Sequence, residues 1–127
     1  MHKEEEEEEE KGMEKDINFL VVDDFVTMRK VIRNLLKLSG YVNVVEAEDG
    51  VSALQIIKTQ KIDFIISDWH MPNMTGFDLL KSVRADKEVS DTPFLMVTAE
   101  TLPDNLISAI KAGVSSYIVK PFTAEVL

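Results

Sequence analysis

The chain has 127 residues, 45% of them hydrophobic, enough for one domain with a genuine core. It holds no cysteine, which excludes a disulfide framework and any thiolate metal site. Its net charge is −9, and residues 1–16 carry −6 of that as nine acids against three lysines. The remaining body has no basic stripe, which argues against nucleic acid as a partner.

No apolar run approaches the roughly 20 residues that span a bilayer. The N-terminus also lacks the apolar segment of a secretory signal. The expectation is a cytoplasmic protein without membrane insertion. Residues 1–16, with Glu4 through Glu10 in an unbroken row, form an acidic tail expected to be disordered. Residues 17–127 form the folded domain.

Ile17 to Val22 reads as a first strand and ends in Asp23 and Asp24. Val26, Met28, Val31, Ile32, Leu35, Leu36 and Leu38 then recur at helical spacing, and Gly40 stops that helix. Val42 to Ala47 reads as a second strand, and Glu48-Asp49-Gly50 as a turn. Val51, Leu54 and Ile57 mark a second helix.

Phe64-Ile65-Ile66 is a short apolar run, as in a strand buried on both faces, and it leads through Ser67 into Asp68. Pro72, Asn73 and Gly76 mark the loop after it. A third helix is expected from about Thr75 to Arg84, and a fourth strand from Pro93 to Thr98. Thr101 to Asp104 has the residues of a helix start, and Gly113 ends that helix. Tyr117 to Val119 is a fifth strand, followed by Lys120-Pro121. Thr123 is placed to cap a final helix that is cut off at Leu127.

Strands alternating with helices predict an α/β fold: a doubly wound, five-stranded parallel sheet. The pattern alone leaves the strand order open. In such sheets ligands sit beyond the carboxyl ends of the strands. Asp23 and Asp24, Asp68, Thr98 and Lys120 each end a strand, so they share one edge. Each has a plainer reading alone: a helix cap, a turn residue, a strand threonine, a loop lysine. Four strand ends with complementary chemistry are harder to set aside.

Such a cluster is costly. Two like charges about 4 Å apart repel by about 4 kcal/mol at an effective dielectric near 20. One lysine cannot balance three carboxylates, whereas Mg²⁺, which takes oxygen ligands, can. A carboxylate beside a cation and an ammonium is also a competent nucleophile toward a phosphoryl group.

The stretches Val21-Val22-Asp23-Asp24, Ser67-Asp68-Trp69-His70-Met71-Pro72, Val97-Thr98-Ala99-Glu100 and Val119-Lys120-Pro121-Phe122 resemble the receiver domains of two-component response regulators. Met28-Arg29 and Ala47-Glu48-Asp49-Gly50 bring the resemblance nearest to the single-domain regulators of chemotaxis. The resemblance implies a flavodoxin-like strand order, 2-1-3-4-5. It implies that Asp68 accepts phosphate from a histidine kinase. Asp23, Asp24, Asp68 and the backbone carbonyl of His70 would hold Mg²⁺. Thr98 and Lys120 would contact the phosphoryl group, and Tyr117 would move with Thr98 on activation. His70 and Glu100 would border the water that removes the phosphoryl group, unless a phosphatase assists. On this reading the domain is not an enzyme, although it promotes its own phosphotransfer and dephosphorylation. Its output partner would be the flagellar motor switch.

Three departures qualify that transfer. His70 stands where the family's chemotaxis members usually have Asn, so an altered and pH-sensitive dephosphorylation rate is expected. Leu102-Pro103 replaces a common lysine pair, which should weaken motor docking and favours a phosphate sink or another partner. The stop at Leu127 should expose apolar surface and promote pairing of chains.

Two other classes stay open. A phosphatase using an aspartyl phosphate wants Asp-x-Asp after the first strand, but the stretch here is Asp23-Asp24-Phe25. A flavin binder wants a phosphate-cradling loop there, and three acids would repel such a phosphate.

Overall fold

A computed structural model of the chain describes residues 16–99 and 103–120. The acidic tail up to residue 15, Glu100 to Leu102 and the expected final helix after Lys120 lie outside the described residues.

In chain order the elements are β1 (Phe19–Val22), α1 (Val26–Leu38), β2 (Val44–Ala47), α2 (Gly50–Thr59), β3 (Phe64–Ser67), α3 (Gly76–Ala85), β4 (Phe94–Thr98), α4 (Pro103–Lys111) and β5 (Ser116–Val119). The strands form one parallel sheet in the order β2-β1-β3-β4-β5. This is the flavodoxin-like order, with β3 central and β2 and β5 at the edges.

Two apolar layers sandwich the sheet, because alternate strand residues point to opposite faces. Leu20, Val22, Ile65, Phe94 and Met96 pack on α2, α3 and α4 through Ala53, Ile57, Leu79, Leu80, Val83 and Ala109. Phe19, Val21, Ile66, Leu95, Val97 and Ile118 pack on α1 through Ile32 and Leu36. All five residues of β4 are buried, as a strand covered on both faces requires.

The helix ends follow from local chemistry. Gly40 and Gly113 take φ of +95° and +94°. Tyr41 N–H returns to the Leu36 carbonyl, and Val114 N–H to that of Ala109, closing both helices by the same 6→1 bond. Thr75 caps α3 by accepting from the Asp78 N–H at 3.1 Å.

Three expectations need adjustment. In α1 only Ile32 and Leu36 are buried, while Val26, Val31 and Leu38 are exposed. β2 begins at Val44 rather than Val42. Glu48-Asp49-Gly50 is a helix start: Asp49 caps α2 by accepting from the Ser52 N–H at 2.8 Å.

Candidate functional site

The parallel ladder runs one residue past each strand and pins the site's backbone. Asp23 N–H donates to Ala47 O, Asp68 N–H to Val22 O, and Lys120 N–H to Thr98 O. The residues that follow three strands are thus fixed relative to one another before any side chain is considered.

The side chains then converge. Carboxylate oxygens of Asp23, Asp24 and Asp68 all lie within 4.8 Å of one another. Lys120 Nζ, from the far end of the sequence, donates to Asp23 Oδ2 at 3.0 Å and to Asp68 Oδ2 at 3.4 Å. The other oxygen of Asp23 accepts from the Phe25 N–H at 2.9 Å, and that of Asp68 from the Trp69 N–H at 2.7 Å.

Asp23 is almost wholly buried, at 1% exposure, whereas Asp24 is exposed and Asp68 half-buried. Burial pushes the Asp23 carboxyl above its ordinary value, and the neighbouring Asp68 charge adds to this. The Phe25 N–H and Lys120 oppose the shift without overcoming it. The Lys120 ammonium therefore contacts two of the three carboxylates, Asp23 and Asp68. An all-oxygen donor set of that charge suits a hard divalent cation of the Mg²⁺ type, and these residues fit one.

Thr98 is buried at the end of β4, on the strand between those of Asp68 and Lys120. Tyr117 is half-buried on β5 and packs against the layer under α2 to α4. His70 is exposed in the loop after β3. Glu100 and Leu102 lie outside the described residues, and Pro103 is the first residue of α4.

Three supports around the site have no signature in a local sequence pattern. Arg29 Nη1 donates to the Asp23 carbonyl at 2.7 Å while its Nε reaches Glu46 at 3.2 Å, tying α1 to β2 across the end of β1. By spacing alone it filled the polar face of a helix. Trp69, adjacent to Asp68, is buried and stacks on Phe77 of α3, with ring centroids 5.1 Å apart and planes 8° apart. Asn73, in the same loop, donates to Asp49 at 2.8 Å.

The arrangement agrees with what known proteins show. The sequence model of the response regulator receiver domain matches residues 19–127. The chain is 52% identical to the chemotaxis protein CheY of Pseudomonas aeruginosa over 111 residues, covering 87% of this chain and 90% of that protein. It is 50% identical to the chemotaxis protein CheY-3 of Vibrio cholerae over 115 residues, covering 91% and 88%. Among solved structures, the chemotaxis protein CheY4 of Vibrio cholerae superposes with a TM-score of 0.79 at 38% identity, covering 86% of this chain and 90% of that one. The receiver domain of a sensor histidine kinase from Pseudomonas aeruginosa, solved with magnesium coordinated in its active-site cleft, superposes with a TM-score of 0.77 at 28% identity, covering 86% and 88%. A parallel sheet that gathers an acid cluster and a lysine at its carboxyl edge, under a family model that spans the domain, identifies the chain as a member of the response regulator receiver domain family.

Proposed function

We propose that this protein is a phosphorylation-controlled signalling module of the chemotaxis type. Asp68 accepts a phosphoryl group from a cytoplasmic histidine kinase, and the phosphorylated domain acts by binding a partner. The observation that carries this reading is the shared grip of Lys120 on Asp23 and Asp68.

In the transfer, an Asp68 oxygen attacks the phosphorus of the kinase's phosphohistidine. The P–N bond breaks, and its electron pair leaves with the imidazole, which takes up a proton. Lys120 faces the developing charge on the phosphoryl oxygens, and the Thr98 hydroxyl supplies a hydrogen bond to one of them. Asp23, Asp24, Asp68 and the His70 backbone carbonyl are the residues that would hold Mg²⁺. When bound, it neutralises phosphoryl charge. Tyr117 and Thr98 relay occupancy to the surface formed by α4 and β5. There Ile107, Ile110 and Val119 stand exposed and offer an apolar output face. On the family resemblance, His70 and Glu100 tune the phosphoryl lifetime.

The output partner on this reading is the flagellar motor switch. Leu102-Pro103 at the head of α4 favours a second form, a phosphate sink or a different partner, because it removes cations that would steer docking. Titration of the phosphorylated protein with a motor-switch peptide separates the two: micromolar binding supports motor output, and none supports the sink.

The core reading is tested through Trp69, the chain's one tryptophan. Its fluorescence should respond saturably to Mg²⁺ and change again with beryllofluoride, a phosphoryl mimic. Asp68→Asn should abolish the second change. No response to either ligand overturns the reading.

A further inference from the structure

The loop between β3 and α3 is held at both ends. At the Asp68 end, Gly76 N–H returns to the Trp69 carbonyl at 2.8 Å, and a β-carbon on Gly76 would overlap the Asp68 carbonyl oxygen. At the other end the loop rests on the N-terminus of α2. A β-carbon on Gly50 would lie 2.6 Å from Met74 Cγ, 2.7 Å from its Cβ and 2.8 Å from its carbonyl oxygen, so both side chain and backbone of Met74 press on this glycine. Beside it, Asn73 adopts φ of +67°, the one non-glycine residue with positive φ among the described residues.

Asp49 meets that strained residue. It is buried at 6% exposure, and its two oxygens have separate duties. Oδ1 accepts from the Ser52 N–H at 2.8 Å, which caps α2. Oδ2 accepts from Asn73 Nδ2 at 2.8 Å, across 24 residues of sequence. The Ser52 N–H first, and then Asn73, hold the Asp49 carboxyl below its ordinary value, so it accepts both bonds at neutral pH. A helix cap needs only one oxygen. The second oxygen is spent on the loop.

We propose that the Asp49–Asn73 hydrogen bond is a latch that positions the β3–α3 loop, and so sets the affinity of the acidic site for a divalent cation. Asp49 and Asn73 are positioning residues that touch neither cation nor phosphate. They act on the backbone that carries Trp69 and His70, whose carbonyl belongs to the donor set named above. The inference rests on that Mg²⁺ reading.

The test compares Mg²⁺ titrations, read by Trp69 fluorescence at physiological salt, with metal-free thermal melting. Asn73→Gly keeps the positive φ at no steric cost and removes only the amide. Asp49→Ser keeps a capping oxygen but is too short to serve Asn73 as well. Each should weaken Mg²⁺ binding by about tenfold, the scale of lost outer-shell partners. Exchanging the two groups, Asp49→Asn with Asn73→Asp, conserves net charge and again opposes an amide to a carboxylate. It should restore binding to within about twofold of the parent. Asn73→Gly binding as tightly as the parent would overturn the latch, whatever its melting temperature. A parent protein that gives no Mg²⁺ response would instead bring down the metal reading, and the latch with it.

Discussion

Lys120 Nζ lies 3.0 Å from Asp23 Oδ2, although 97 residues separate them. The bond crosses from the end of β5 to the end of β1, over the ends of β3 and β4. It is insufficient to offset the burial of Asp23, whose carboxyl stays raised above the ordinary 3.8.

Asp23 therefore costs stability when ionised. A carboxyl raised in the folded state binds its proton more tightly there than in the unfolded chain. Its contribution to stability is fully present below pH 3.8 and is lost as pH rises through the raised value. Asp23→Asn should raise the metal-free melting temperature at pH 7, with the gain shrinking toward acid. The same change should weaken Mg²⁺ binding about tenfold. Melting curves at several pH values, with and without Mg²⁺, check both parts.

Asp49 has the opposite sign. Its carboxyl is lowered, so its contribution is present above pH 3.8 and is lost as pH falls through the depressed value. Asp49→Ala should cost about 1 kcal/mol near neutral pH through the cap alone. That difference should narrow in acid. Urea unfolding of both proteins along a pH series gives the comparison.

Arg84 staples the edge of the sheet opposite Asp68. Its Nη1 donates to Ser90 O at 2.9 Å and Thr92 O at 2.6 Å, and its Nε to Gly113 O at 2.8 Å. Arg84→Lys cannot reproduce that fork, and about 2 kcal/mol of stability should be lost. Mg²⁺ affinity should be unchanged, because the carboxyl edge is untouched. Denaturation midpoints and fluorescence titration measure the two quantities separately.

Gly76→Ala should be the most damaging single-methyl change near the site. The added carbon has to displace the Asp68 carbonyl, which is backbone and cannot rotate away. A loss of about 3 kcal/mol is expected from overpacking. Whatever folded protein remains should bind Mg²⁺ weakly. Gly50→Ala should also cost stability, because its added carbon meets Met74 Cβ at 2.7 Å and the Met74 carbonyl oxygen at 2.8 Å.

The strand ends were legible because chemistry and hydropathy change together there: Val22 to Asp23, Ser67 to Asp68, Val119 to Lys120. Strand order was not, since β1 pairs with both β2 and β3 through apolar residues of one kind, and only the family resemblance supplied the order. Helical spacing overstated the buried face of α1, because Val26, Val31 and Leu38 flank the stripe that Ile32 and Leu36 press onto the sheet. Asp49 was misread as a turn residue for a physical reason: turn and helix cap favour the same short side-chain acceptor. Its bond to Asn73 could not be read at all, because no local pattern encodes a pairing between two loops. The same holds for Arg29 and the Asp23 carbonyl.

The sheet order has a further consequence, for the growing chain. β1, β2 and β3 are consecutive in sequence and adjacent in the sheet, so they can pair as soon as they are made. The acids are assembled at that stage. Their counter-cation is not, because Lys120 arrives only when β5 docks on β4. A half-synthesised chain thus displays the acid cluster without the lysine that bridges Asp23 and Asp68. Synthesis order itself delays completion of the charged edge until the fifth strand is home.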